Sequence, residues 1–150
     1  MTASALVKQS DFRLMQIQAE HGHTIWIYFF WNEANGLFKI GKSNNPSRRC
    51  QELSSIMGME LFHLFSFQAP INAEKVIHAF MSDYRHSHEW FKGEEVYQLC
   101  ECFEEFDIKS GVPNPVLSAE DIEFVLDDWR NSYGRGKSAA PCGNNVDGRK

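Results

Sequence analysis

The sequence predicts an α/β domain of the α+β kind: a small central sheet of three mixed or antiparallel strands flanked by helices, with helical extensions at both ends. Three observations carry this expectation. Thr24 to Trp31 (TIWIYFFW) is apolar on both alternating faces, the pattern of a central strand covered from two sides. Asn35-Gly36 marks a tight reversal, which needs positive φ, so Leu37 to Lys42 can return antiparallel to the first run. Stretches with helix-start residues and helical apolar spacing follow these strands.

Residues 1–22 read as a weakly helical extension, with Leu14 and Ile17 three apart and Asp11 as a candidate cap. His21 and His23 flank Gly22 at the entry to the first strand. Such a pair can hold a metal, but an exposed linker pair is the commoner arrangement. Along the first strand Ile25, Ile27, Phe29 and Trp31 share one face, and Trp26, Tyr28 and Phe30 share the other. On the returning strand Lys39 and Gly41 oppose Phe38 and Ile40. A lysine so placed must reach an anion or solvent, because an unpaired buried charge is expensive.

Asn45-Pro46 opens a helix, Asn as cap and Pro at the first helical position. Leu53 and Ile56 are expected on its buried side, with Arg49 on that side and Arg48 turned about 100° towards solvent. Arg49 could pair with Glu52 or Glu74, or serve an anion site, and periodicity does not separate these. Glu60 to Phe67 reads as the third strand, closed by Pro70. Asn72 is expected to cap a helix with the apolar stripe Val76, Ile77, Phe80, Met81 and Tyr84, edged by a row of Glu74, His78 and Arg85. An acid in a first turn, as Glu74 is, also simply favours the positive end of the helix dipole. His78 could equally be a core-edge imidazole bonded to backbone.

Gly93 to Phe106 has the spacing of an amphipathic helix, and Gly111 to Pro115 breaks it. Ser118 with Asp121 forms a capping-box start for a helix carrying Ile122, Val125, Leu126 and Trp129. The chain then divides into an N-terminal helical extension (1–22), a domain (23–108), a C-terminal helix (109–131) and a disordered tail (132–150).

The net charge is −5, but its distribution says more than the sum. Residues 39–49 hold Lys39, Lys42, Arg48 and Arg49 and no acid, whereas residues 83–128 hold 13 acids against Arg85, Lys92 and Lys109. An acidic protein can still bind phosphates through a local basic face, since screening limits distant charges to about 10 Å. The four cysteines, Cys50, Cys100, Cys102 and Cys142, lack zinc-type spacing and read as free thiols. No run approaches the roughly 20 apolar residues that cross a bilayer, and no signal peptide is visible, so a cytoplasmic protein with no membrane partner is expected.

Tyr28, Lys39, Arg49 and Glu74 come from four separate elements, and a phenol, two cations and a carboxylate on one surface suit phosphodiester chemistry. In order, Trp26-Ile27-Tyr28, Lys39-Ile40-Gly41, Arg49 eight residues later, Glu74-x3-His78 and Arg85-x3-Glu89-Trp90-Phe91 resemble the GIY-YIG endonuclease superfamily. The later run looks like the branch found in many phage and bacterial proteins and in the fungal meiotically up-regulated type, where KIG replaces YIG and an Arg…Glu-Trp-Phe ending recurs. The resemblance covers residues 24–91. It implies a DNA endonuclease with Mg2+ (or Mn2+) held by Glu74, acting in the host cytoplasm if phage-encoded. It further implies Tyr28 as general base or water-orienting group and Arg49 as the neutraliser of phosphate charge. Lys39 could lower the phenol's pKa, His78 is a second candidate for proton transfer, and Lys42, Arg48 and Arg85 would contact substrate. Trp26 replaces the family's first Gly and Lys39 its second-motif Tyr. The alternative is an inactive module of the same fold that binds DNA, or a basic protein through the acidic C-terminal half.

Overall fold

The computed structural model of the protein describes residues 7–133. Among the described residues, five α-helices surround one five-stranded antiparallel sheet: α1 (Gln9–Glu20), β1 (Thr24–Asn32), β2 (Leu37–Ser43), α2 (Pro46–Met57), β3 (Leu61–Pro70), α3 (Ala73–Phe80), β4 (Arg85–Ser87), β5 (Trp90–Lys92), α4 (Glu94–Ser110) and α5 (Ala119–Tyr133). The α+β class is as expected, but the sheet is larger than the three strands read from sequence, with order β3-β1-β2-β5-β4. The added strands are three residues each, too short for an alternating pattern to register. They turn back on each other through His88 at φ 49°.

β1 is central, as its two apolar faces require, and pairs with β2 on one side and β3 on the other. Its alternation divides the molecule into a thick and a thin layer. Ile27 and Phe29 point into the main core, where Met15 of α1, Ile77 of α3, Phe103 of α4 and Trp129 of α5 meet. Phe67 of β3 stacks on Phe103 at 4.3 Å, a contact of about 0.5–1.5 kcal/mol beyond its buried area. Tyr28 and Phe30 point the other way, into a smaller cluster with Cys50 and Leu61 under α2.

The β1–β2 turn uses both halves of Asn35-Gly36: Asn35 Oδ1 accepts from the Leu37 amide at 3.0 Å, and Gly36 takes φ 72°. Asn45 caps α2, accepting from the Arg48 amide at 3.1 Å with Pro46 behind it. The capping box of α5 forms in both directions, Asp121 amide to Ser118 Oγ at 3.0 Å and Ser118 amide to Asp121 Oδ2 at 2.9 Å.

Several local expectations are corrected. Asp11 lies inside α1, whose N-cap is Lys8, and Met15 rather than Leu14 or Ile17 is its buried residue. Asn72 does not cap α3 with its side chain. Its amide group donates to Asp11 and its backbone N–H to Gln18, so it ties α1 to α3. On α2 the buried side runs through Pro46 and Cys50, with Leu53 and Met57 packed beside them, and Ile56 is 75% exposed. α3 stops at Phe80, because Ser82 and Asp83 favour a short turn, so Arg85 belongs to β4 and not to a helical row with Glu74 and His78. Cys50, Cys100 and Cys102 are free thiols. α5 continues to Tyr133, and the tail expected beyond it, with Cys142, lies outside the described residues. Among the described residues no helix is long and apolar enough to cross a membrane.

Candidate active site

The site forms where β1, β2, the start of α2 and the first turn of α3 approach one another, with Tyr28 coming from the thin face and Glu74 from the helix that packs on the main core. Tyr28 pairs across β1–β2 with Gly41, and its ring lies directly over that glycine. A Cβ built on Gly41 would come within 2.8 Å of Tyr28 Cε1 and nearer still to the hydroxyl. Gly41 is therefore the seat of the phenol: no other residue leaves the space. Phe30 stacks on the Tyr28 ring at 3.8 Å and gives it a second neighbour. Burial pushes the phenol up to about 12, and the Arg49 guanidinium beside it pulls only partly the other way. The lowering field expected from Lys39 is absent from this balance, because Lys39 is engaged elsewhere.

Its partner is Glu89. The Lys39 ammonium meets the Glu89 carboxylate at 2.6 Å and lies 5.4 Å from the centre of the Trp90 ring. Lys39 is nearly buried, and this pair satisfies the charge that burial would otherwise strand. The Glu89 backbone carbonyl also accepts from the Ile40 amide at 3.1 Å, so the β4–β5 turn is clipped to β2 twice. Sequence reasoning gave Glu89 no role. The signal was there in the requirement that Lys39 find an anion and in the acid of the Glu-Trp-Phe run.

Glu74, in the first turn of α3, is shielded in the same corner. Its carboxylate lies 3.9 Å from Lys42 Nζ and 4.0 Å from His78 Nε2. Burial and the nearby Glu89 charge raise its pKa above the usual carboxylate range, with Lys42 and Lys39 opposing. The α3 dipole favours an anion here, and burial with a second carboxylate outweighs it. His78 Nε2 bonds the Ile40 carbonyl at 2.7 Å, which makes that nitrogen the donor. Burial lowers the His78 pKa, so the ring is a neutral strut between α3 and β2, packed 5.2 Å from Phe91. Its Nε2 is thereby withdrawn from proton transfer.

Of the three expected substrate contacts, Lys42 is in the corner and 41% exposed at its side chain. Arg48 points to solvent and pairs with Glu52 at 3.1 Å, whereas Arg49 faces the site and reaches Glu52 more loosely at 3.6 Å. Arg85 lies over the Phe91 ring at 5.3 Å, behind His78. The structure thus brings Tyr28, Lys39, Arg49, Glu74, His78 and Lys42 together and leaves Arg48 at the margin.

A family model described as the T5orf172 domain matches residues 25–107, just over half of the chain. The chain belongs to the T5orf172 domain family. No curated protein and no solved structure matches it. The T5orf172 domain here starts at the second residue of β1 and ends near the close of α4, so it holds every residue of the corner just described. Helices α1 and α5 lie outside it and finish the thick layer.

Among the described residues no three His, Cys, Asp or Glu side chains cluster closely enough to cage a metal. Mg2+ does not require a cage: it commonly takes one or two carboxylates and completes its shell with water and substrate phosphate. Glu74, shielded and with a second carboxylate near enough to raise its pKa, fits that mode in this T5orf172 domain.

Proposed function

We propose that this T5orf172 domain is a metal-dependent nuclease that hydrolyses phosphodiester bonds in DNA, in the manner of the GIY-YIG endonucleases. One observation carries the reading: a phenol, an arginine, a lysine and a shielded carboxylate from four different elements converge on one corner. A divalent ion bound at Glu74 would supply charge stabilisation to the phosphate during hydrolysis. The chain's own residues divide the remaining work. Arg49 offers a guanidinium to the non-bridging phosphate oxygens, where negative charge grows in the transition state. Lys42 adds a second cation beside Glu74. Tyr28 stays protonated at neutral pH, so its hydroxyl orients the attacking water rather than deprotonating it. His78 and Glu89 are positioning residues, the first through Ile40 and the second through Lys39.

Supercoiled plasmid incubated with Mg2+ tests the reading. Wild type should nick it, chelator should stop the reaction, and Glu74→Ala and Arg49→Ala should each lose about 100-fold or more in rate. Undiminished cutting by Glu74→Ala would overturn the role of Glu74. A second reading, a non-catalytic module for a basic protein partner, is favoured by one surface: Glu101, Glu104 and Glu105 of α4 are exposed near the 61% exposed Phe124 of α5. A well-folded wild type that cuts nothing would shift the reading there.

A further inference from the structure

Trp26 is unaccounted for by either core. It precedes Tyr28 by two positions on β1, and its neighbours Ile25 and Ile27 pack into the thick layer, so its indole lies on the same thin face as the phenol. It is partly exposed, belongs to neither apolar cluster, stacks on no ring and makes no side-chain hydrogen bond among the described residues. Its cross-strand partners are Ser43 on β2 and Gln68 on β3, both polar. The α2 residues that cover this face, Cys50, Leu53 and Met57, gather over Tyr28, Phe30 and Leu61 and not over the Trp26 end. An indole therefore rests on a polar shelf, one side-chain repeat from Tyr28, or about 6.6 Å along the strand. Arg49, whose guanidinium bonds the Tyr28 hydroxyl, supplies positive charge on the same face.

Trp26 keeps part of its ring in solvent, and an aromatic so placed on the same face as a cation is a means by which proteins hold unpaired bases. We propose that Trp26 is a stacking platform for the base adjoining the phosphate bound at Arg49, and that the substrate is single-stranded or locally unpaired nucleic acid. This rests on the nuclease reading and specifies its substrate class. Stacking on an indole is indifferent to base identity, so the platform selects strand state and not sequence. A base held in a duplex stack cannot reach the shelf without leaving its partner, which costs a few kcal/mol.

The test is equilibrium binding, read by fluorescence anisotropy in chelator so that no strand is cut, using labelled oligothymidylate and the same oligomer in a blunt duplex. Wild type should bind the single strand more tightly. Trp26→Ala should lose about tenfold on the single strand and little on the duplex, while Trp26→Phe, which keeps a ring, should retain most of the affinity. Thermal melts of both variants establish that they are folded. Equal affinity of Trp26→Ala and wild type for the single strand, or equal losses on both ligands, would overturn the platform. So would a wild type that binds duplex only. In that last case plasmid nicking would still stand, separating failure of this inference from failure of the nuclease reading.

Discussion

Gly41→Ala would add a methyl where the Tyr28 ring already lies. The ring cannot yield easily, since Phe30 stacks on it, so the variant should lose about 1–3 kcal/mol of stability in urea denaturation, together with most of its nicking activity. Glu74 should show the opposite pairing of effects. A carboxyl whose pKa is higher folded than unfolded takes up a proton on folding. Stability therefore falls as pH rises from the unfolded value, about 4.3, through the raised folded one, and the full penalty is present at neutral pH. Glu74→Gln removes the penalty. At neutral pH its melting temperature should equal or exceed that of wild type while nicking is lost, and the gap in melting temperature should close in mild acid. A lower melting temperature at neutral pH would show that the carboxylate is a structural partner instead. Tyr28, Arg49 and Glu74 could be picked from the sequence as chemistry-bearing residues in separate elements. The burial that raises the phenol's pKa could not, because it depends on Phe30, Cys50 and Leu61 closing around one ring.

At the scale of elements, β1, the β1–β2 turn, α2 and α5 were legible because each carries its own local signal: alternation, Asn-Gly, Asn-Pro, a capping box. The hairpin β4–β5 was not. Each strand is three residues, and what fixes the hairpin is non-local: the ladder to β2, buried Phe91 and the Lys39 ammonium 50 positions from Glu89. α3 ended early for a similar reason, its stripe interrupted by Ser82 and Asp83 where local hydrogen bonding competes with the helix. Glu89→Gln tests the clip. It leaves a nearly buried lysine without a counter-charge, and since Glu89 itself is 44% exposed at its side chain the loss should be about 1–2 kcal/mol, below the ~3–5 kcal/mol of a fully buried pair. The urea midpoint measures it, and an unchanged midpoint would mean that the β2–β5 ladder and buried Phe91 hold the hairpin without the ion pair.

At the scale of the molecule, charge and layers separate. The acid-free run Lys39 to Arg49 lies on β2 and the start of α2, and the acid-rich stretch builds α4 and α5 in the thick layer. An overall charge of −5 thus coexists with a cationic corner. The two layers meet at β1, whose nine residues send Ile27 and Phe29 one way and Tyr28 the other. Inheritance can act on these two sets almost independently. The helix-packed side tolerates exchange among apolar residues of similar volume without displacing a cation or the phenol. The thinner side can trade one partly exposed ring or charge for another without disturbing most of the interior. A strand used in this way lets a small fold change what it grips while keeping how it stands.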